Sequence, residues 1–251
     1  MLLSEPQRTA YDVNFAVFGI PVRVHPFFWL IGLLWGPRGG GPASLLAWIA
    51  AFFLGILVHE LGHALVMRSQ GGTPWITLYG LGGLASCPRM KPLRTANAES
   101  WRQIVVSAAG PFAGFALAAI VVAVVVALGH AVQYVVGMPY GLMVLDANQW
   151  EGSRLAEFAN DVLFVTIVYG ILNLLPIYPL DGGQIAREIL LIVFGVEGIR
   201  QSLILSIVVA GGFAALSVVK FHAFLLALFF GYFAYESFVA LQLYINRDPR
   251  R

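Results

Sequence analysis

Runs of about twenty apolar residues, separated by short polar turns, leave this 251-residue chain few folds to adopt. A helix needs about 20 mainly apolar residues to cross the roughly 30 Å hydrocarbon core of a bilayer. The runs are continuous rather than alternating, which argues against an outer-membrane barrel. Composition agrees: the chain is 59% hydrophobic and 11% charged, with a mean hydropathy of +0.80. Soluble chains run at roughly 45–50% apolar and about 25% charged. The expected fold class is an all-α polytopic membrane protein with about six transmembrane helices and a small membrane-associated β-sheet.

The first helix runs from His25-Pro26 to about Trp35 and is short. The others cover about Ala43–Met67, Trp101–Leu128, Leu155–Leu175, Ile199–Val219 and Phe221–Ile245. Between the fourth and fifth, Asp181–Phe194 is amphipathic and of helical length. Residues 12–24 alternate loosely and predict strand, with a turn at Gly19-Ile20-Pro21. Residues 72–87 predict strand too, with bends at Gly80, Gly82 and Gly83. Unpaired strand backbone is not tolerated against lipid, so this second stretch should pair with the first or lie at the interface. No repeat, low-complexity tract or signal-peptide pattern is apparent, and one membrane-embedded domain over residues 1–251 is expected.

Lysine and arginine placement gives an orientation. With a cytoplasmic N-terminus, twelve basic residues fall on the cytoplasmic side and three (Arg38, Arg154 and Lys220) on the other. Both termini are then cytoplasmic, in an inner cytoplasmic membrane. The net charge of +2 is too small to suggest a nucleic-acid partner. The single cysteine, Cys87, leaves metal binding to His, Asp and Glu.

Those residues appear in the second helix as His59-Glu60-Leu61-Gly62-His63, inside AFFLGILVHELGHALVM. Histidines four apart share one helix face and can reach one ion. Zinc lowers the pKa of a water it holds to about 7, and a carboxylate beside the first ligand can take the proton. A charge at the bilayer centre costs at least about 2.5–3.5 kcal/mol, so residues placed there usually mark function. His59 lies about 13 Å along the helix from Arg68, by the 1.5 Å rise per residue. A chance match on a buried helix explains neither the imidazoles nor the acid at that depth.

Catalytic zinc keeps three protein ligands and an open position. His130 and His222 fall on the far side, where an interfacial role suffices, and Asp161 is too distant. Glu236 is a buried acid in the last helix and a second choice. Asp181 is the best candidate, because helix four returns the chain to the depth of the histidines. It lies in Asn173-Leu-Leu-Pro176-Ile-Tyr-Pro179-Leu-Asp181-Gly182-Gly183, a segment that breaks the helix twice. Broken helices at membrane depth commonly line a site, although Pro and Asp-Gly also suit a plain turn. Asn173 is a buried amide that either stabilises a developing oxyanion or caps the broken helix.

The two segments together resemble the site-2 protease family of intramembrane zinc metalloproteases, whose pattern matches His59, Glu60, His63, Asn173, Pro176, Pro179, Asp181 and Gly182. Ser107-Ala108-Ala109-Gly110-Pro111 resembles a family segment that packs on the active-site helix, and GIPVRVHPFFW an opening strand of bacterial members. The resemblance covers about residues 15–245. It implies one zinc held by His59, His63 and Asp181, with Glu60 as general base and then proton donor to the leaving amine. It implies a membrane-spanning or membrane-adjacent protein substrate, cut near the cytoplasmic side, such as an anti-sigma factor, a pro-sigma factor or a signal-peptide remnant. Many relatives carry PDZ or CBS domains; residues 130–153 are too short for a PDZ, so a minimal core is expected.

An extended substrate is readily held by adding it to a sheet edge, for which residues 75–87 are the candidate; interfacial packing of Trp75 and Tyr79 competes. Two alternatives remain at this point. One is a metal-binding membrane protein without protease activity, a pseudoprotease or transporter, which has no need of Glu60. The other keeps the protease but takes Glu188 or Glu236 as third ligand.

Overall fold

The structure is a computed structural model that describes residues 5–36, 41–80, 82–88, 93, 95–130, 132–133, 144–145 and 154–246. Most of the 130–153 segment lies outside the described residues, as do seven of the fifteen basic residues in the orientation count: Arg38, Arg89, Lys91, Arg94, Arg247, Arg250 and Arg251. Seven helices are described: α1 (Pro26–Trp35), α2 (Gly41–Ser69), α3 (Ala96–Ala127), α4 (Arg154–Asn173), α5 (Asp181–Phe194), α6 (Glu197–Val219) and α7 (Phe224–Asn246). The strands are β1 (Val13–Val17), β2 (Ile20–Val24), β3 (Trp75–Tyr79), β4 (Gly82–Ser86), β5 (Val132–Gln133) and β6 (Val144–Leu145). Five helices (α2, α3, α4, α6 and α7) are long and apolar enough to cross a membrane. The short first helix is ten residues, about 15 Å and half the hydrocarbon core. His25 caps it by accepting the Phe27 N–H on Nδ1, Pro26 suits its first turn, and it stops at Gly36.

The chain forms two compact units, and two of their three boundaries fall within α3 and α4. The first comprises residues 1–91 and 109–170. Its sheet runs in the order β1-β2-β3-β4, antiparallel except for the parallel β2–β3 pair. The expected pairing of the two strand regions is this parallel pair. The first turn falls at Phe18-Gly19, just before the expected position, where φ values of 50° and 74° favour glycine at the second residue. Because β2 and β3 are neighbours, the excursion through α1 and α2 leaves one sheet and returns to it.

Strand alternation decides which face is covered. Ile20, Val22 and Val24 of β2, with Ile76 and Leu78 of β3, pack against Phe28, Phe52, Ile56, Leu57 and Leu61 of the helices. On the other face Arg23 stands opposite Thr77. Its guanidinium bonds Asp12 at 3.0 Å, Glu5 at 2.8 Å and the Pro6 carbonyl at 3.0 Å, while the Thr77 hydroxyl donates to Glu5 at 2.7 Å. The segment before β1 is thereby strapped across the sheet.

The second unit comprises residues 92–108 and 171–251. Here α6 packs on α5 and α7, with the Phe213 and Phe230 rings 5.2 Å apart. Residues 174–180 are non-helical and contain a cis Tyr178–Pro179 bond. They fold back over the start of α5. A Cβ on Gly182 would collide with the Leu174 carbonyl oxygen, and one on Gly183 would lie 2.5 Å from the Tyr178 nitrogen. The two glycines after Asp181 therefore serve close backbone packing.

Candidate metal centre

In the first unit the site is built on α2. His59, Glu60 and His63 are all buried, at 2%, 3% and 6% exposure, and no solvated face of the helix accounts for them. The histidine rings stand 4.9 Å apart at 76°, and their Nε2 atoms face each other at 3.1 Å. Two nitrogens each about 2.0–2.1 Å from a tetrahedral zinc lie about 3.3 Å apart, so the pair fits such an ion closely.

Glycine opens the space beside these nitrogens. A Cβ on Gly110 of α3 would collide with His63 Nε2 and lie 2.7 Å from His59 Nε2. Gly62, between the histidines, abuts the Ala109 carbonyl, with the Ala113 Cβ 2.7 Å from its own would-be Cβ. The Ser107–Pro111 segment thus meets the α2 histidines through Ala109 and Gly110. From α4, the Tyr169 ring packs edge-on against His59, with centroids 4.7 Å apart.

Strand β4 runs beside the acid. A Cβ on Gly83 would lie 2.5 Å from Glu60 Oε1, and one on Gly82 would lie 2.5 Å from the Tyr169 hydroxyl. Gly82 also adopts a φ of 118°, open chiefly to glycine. Burial pushes the Tyr79 phenol on β3 above its ordinary value, and the Glu60 and Glu5 carboxylates add to that shift. Among the described residues, β4 pairs on one side only, with β3, and is a sheet edge.

In the second unit, Asn173 is buried at the last position of α4, and Asp181 is buried at the first position of α5. A helix N-terminus favours a carboxylate through its unpaired N–H groups and dipole. The competing acids are less enclosed: Glu188 on α5 and Glu236 on α7 are half-buried. His222 is exposed in the α6–α7 turn, and His130 is half-buried just beyond α3. Asp161 is half-buried in α4.

Sequence reasoning overlooked Tyr169 and the particular tasks of Gly83 and Gly110. Tyr169 carried one signal, its place one helical turn before Asn173. The glycines read as bends or as small packing residues, and only close approach to Glu60 and the histidines distinguishes them.

A chain of membrane-length helices with His-Glu-x-x-His buried on one of them defines a membrane metallopeptidase class. The comparisons agree: the model of peptidase family M50 matches residues 47–219, and the chain belongs to that family. A Synechocystis sp. protein named as a zinc metalloprotease, sll0528, is 29% identical over 217 residues, covering 81% of this chain. The chain spans about half (50%) of that relative's length. The solved structure titled Site-2 Protease from Methanocaldococcus jannaschii matches with a TM-score of 0.54 at 20% identity, over 92% of this chain and 95% of that one. That likeness bears on the fold, which is the polytopic helical fold with a small sheet.

Proposed function

We propose that this chain is an intramembrane zinc metalloprotease of the site-2 type, forming one membrane-embedded domain and cutting membrane-spanning or membrane-adjacent proteins in regulated intramembrane proteolysis. The observation that carries the reading is the buried His59–His63 pair, its Nε2 atoms 3.1 Å apart beside Gly110, with Glu60 buried next to it. His59, His63 and Asp181 are the proposed ligands of one zinc. Two imidazoles and a carboxylate are a donor set that zinc takes readily, leaving a fourth position for reactants. The burial of Asp181, against the half-buried Glu188 and Glu236, supports it as the third donor.

Zinc, when bound, supplies the Lewis acidity that makes water a nucleophile near neutral pH. Glu60 accepts a proton from the attacking water and passes it to the leaving amine. Asn173 donates an amide N–H to the carbonyl oxygen as that oxygen gains charge. The free edge of β4 receives the unwound substrate as an added strand, which brings its backbone beside Glu60. Fitting substrates are anti-sigma factors, pro-sigma factors or signal-peptide remnants, in the inner membrane. Both termini and the site face the cytoplasm in this reading; the return of α1–α2 to one sheet supports Arg8, Arg23 and Arg68 sharing a side.

The ligand assignment is tested by measuring bound zinc in Asp181→Ala, Glu188→Ala and Glu236→Ala. Loss in Asp181→Ala alone is expected, and full zinc in that variant refutes the assignment. A Glu60→Gln chain used as a trap, with the cleaved bond then mapped by the wild type, identifies the substrate.

A further inference from the structure

The non-helical segment before Asp181 is anchored from the last two membrane helices. Tyr178 lies three residues before Asp181. Around it the segment supplies its own hydrogen bonds: Ile177 N–H to Leu175, Leu180 N–H to Ile177 and Gln184 N–H to Leu180. Tyr178 finds its partners on other helices. Its N–H donates to the Ser206 hydroxyl on α6 at 3.0 Å, and its carbonyl accepts from the Ser237 hydroxyl on α7 at 3.3 Å.

Neither serine is a generic buried hydroxyl. A serine inside an apolar helix ordinarily donates back to a carbonyl three or four residues earlier. Ser202 and Ser217 do so, to Ile199 and Phe213. Ser206 also donates back, to Ser202 at 2.8 Å, which leaves its lone pairs for Tyr178. Ser237 is fully enclosed, and its hydroxyl leaves its own helix for the Tyr178 carbonyl. A further anchor holds the next peptide: the Gln184 amide donates to the Pro179 carbonyl at 3.3 Å, and Gln103 of α3 donates to Gln184 at 3.1 Å. Ser237 lies on α7, beyond the stretch matched by the family model.

We infer that Ser206 and Ser237 are positioning residues, whose hydroxyls hold the Tyr178 peptide and so set the place of the Asp181 carboxylate. The inference rests on Asp181 being a zinc ligand. It makes the last helix part of the metal site's support rather than only a membrane anchor. Loss of one such hydrogen bond should loosen the carboxylate without removing it.

The test uses the full chain in detergent, loaded with zinc or cobalt. Ser206→Ala and Ser237→Ala are each expected to release zinc to a chelator about three- to tenfold faster, the range one hydrogen bond commands. Their cobalt absorption bands should shift, and kcat should fall with KM little changed. Ser206→Thr and Ser237→Thr keep the hydroxyl and should restore slow release. Ser206→Cys and Ser237→Cys keep the packing volume and weaken the bond, so they read the same effect where the alanine variants fail to fold. The Ser217 hydroxyl bonds only within α6, so Ser217→Ala should match wild type. Unchanged zinc release and cobalt bands in the Ser206 and Ser237 variants overturn the inference, as does an equal effect from Ser217→Ala. Asp181→Asn tests the underlying assignment separately: wild-type zinc affinity there removes the ligand reading, whatever the serine variants do.

Discussion

At the residue scale, two glycine contacts divide the proposed metal ligands from the proposed base. Gly110 borders the two imidazole nitrogens, whereas Gly83 borders the Glu60 carboxylate. Forcing a methyl group into packed contact costs about 1–3 kcal/mol, or about five- to 150-fold in an equilibrium. Gly110→Ala should therefore lose zinc, measured as metal per chain. Gly83→Ala should keep zinc and lose at least about tenfold in cleavage rate. Equal zinc loss in both would show that β4 and α3 do not divide the work in this way. His59, Glu60 and His63 were legible because depth in an apolar helix made their charge and polarity costly. The glycine contacts were not, since a missing side chain carries no pattern until its neighbours are known.

At the scale of elements, β4 and the N-terminal strap each make a claim. Proline introduced singly through Gly82–Ser86 should abolish cleavage wherever the lost N–H faces the free edge, with zinc content unchanged. Zinc loss with every such proline would instead assign β4 a purely structural role. The strap carries a pH dependence. Burial alone would raise the Asp12 carboxyl, but hydrogen bonds from Thr9 and Arg23 outweigh it and hold the group down to about 2, from an ordinary 3.8. Glu5 is likewise held low by Thr77 and Arg23 against its own burial. A depressed carboxyl stabilises the fold above its unfolded value, and that stability is lost as pH falls through the folded one. Hydrogen exchange of residues 5–12 should thus rise between about pH 4 and pH 2, and Asp12→Asn should flatten the step. Helix positions were legible from apolar runs, and α5 from its amphipathic spacing. The parallel β2–β3 pairing was not, because it joins segments fifty residues apart whose patterns fit several registers.

For the whole molecule, the charge bias predicts a topology. With Cys87 replaced by Ser, single cysteines at Arg8 and Asn246 should react with an impermeant thiol reagent only from the cytoplasmic side. Cysteines at Arg154 and Lys220 should react only from the opposite one. Labelling of Arg8 and Asn246 from different sides would contradict this topology. Spans and charge bias could be read directly from the chain. The anchoring of Tyr178 could not, since buried serines on apolar helices look alike until one is seen to bond outside its own helix. In the proposed reading, a carboxylate beside a histidine-held metal performs peptide hydrolysis. The most direct measurement takes purified wild type and Glu60→Gln through metal analysis and cleavage of a trapped substrate. One zinc per chain in both, with cleavage by wild type alone, is the predicted result; near wild-type cleavage by Glu60→Gln would contradict it.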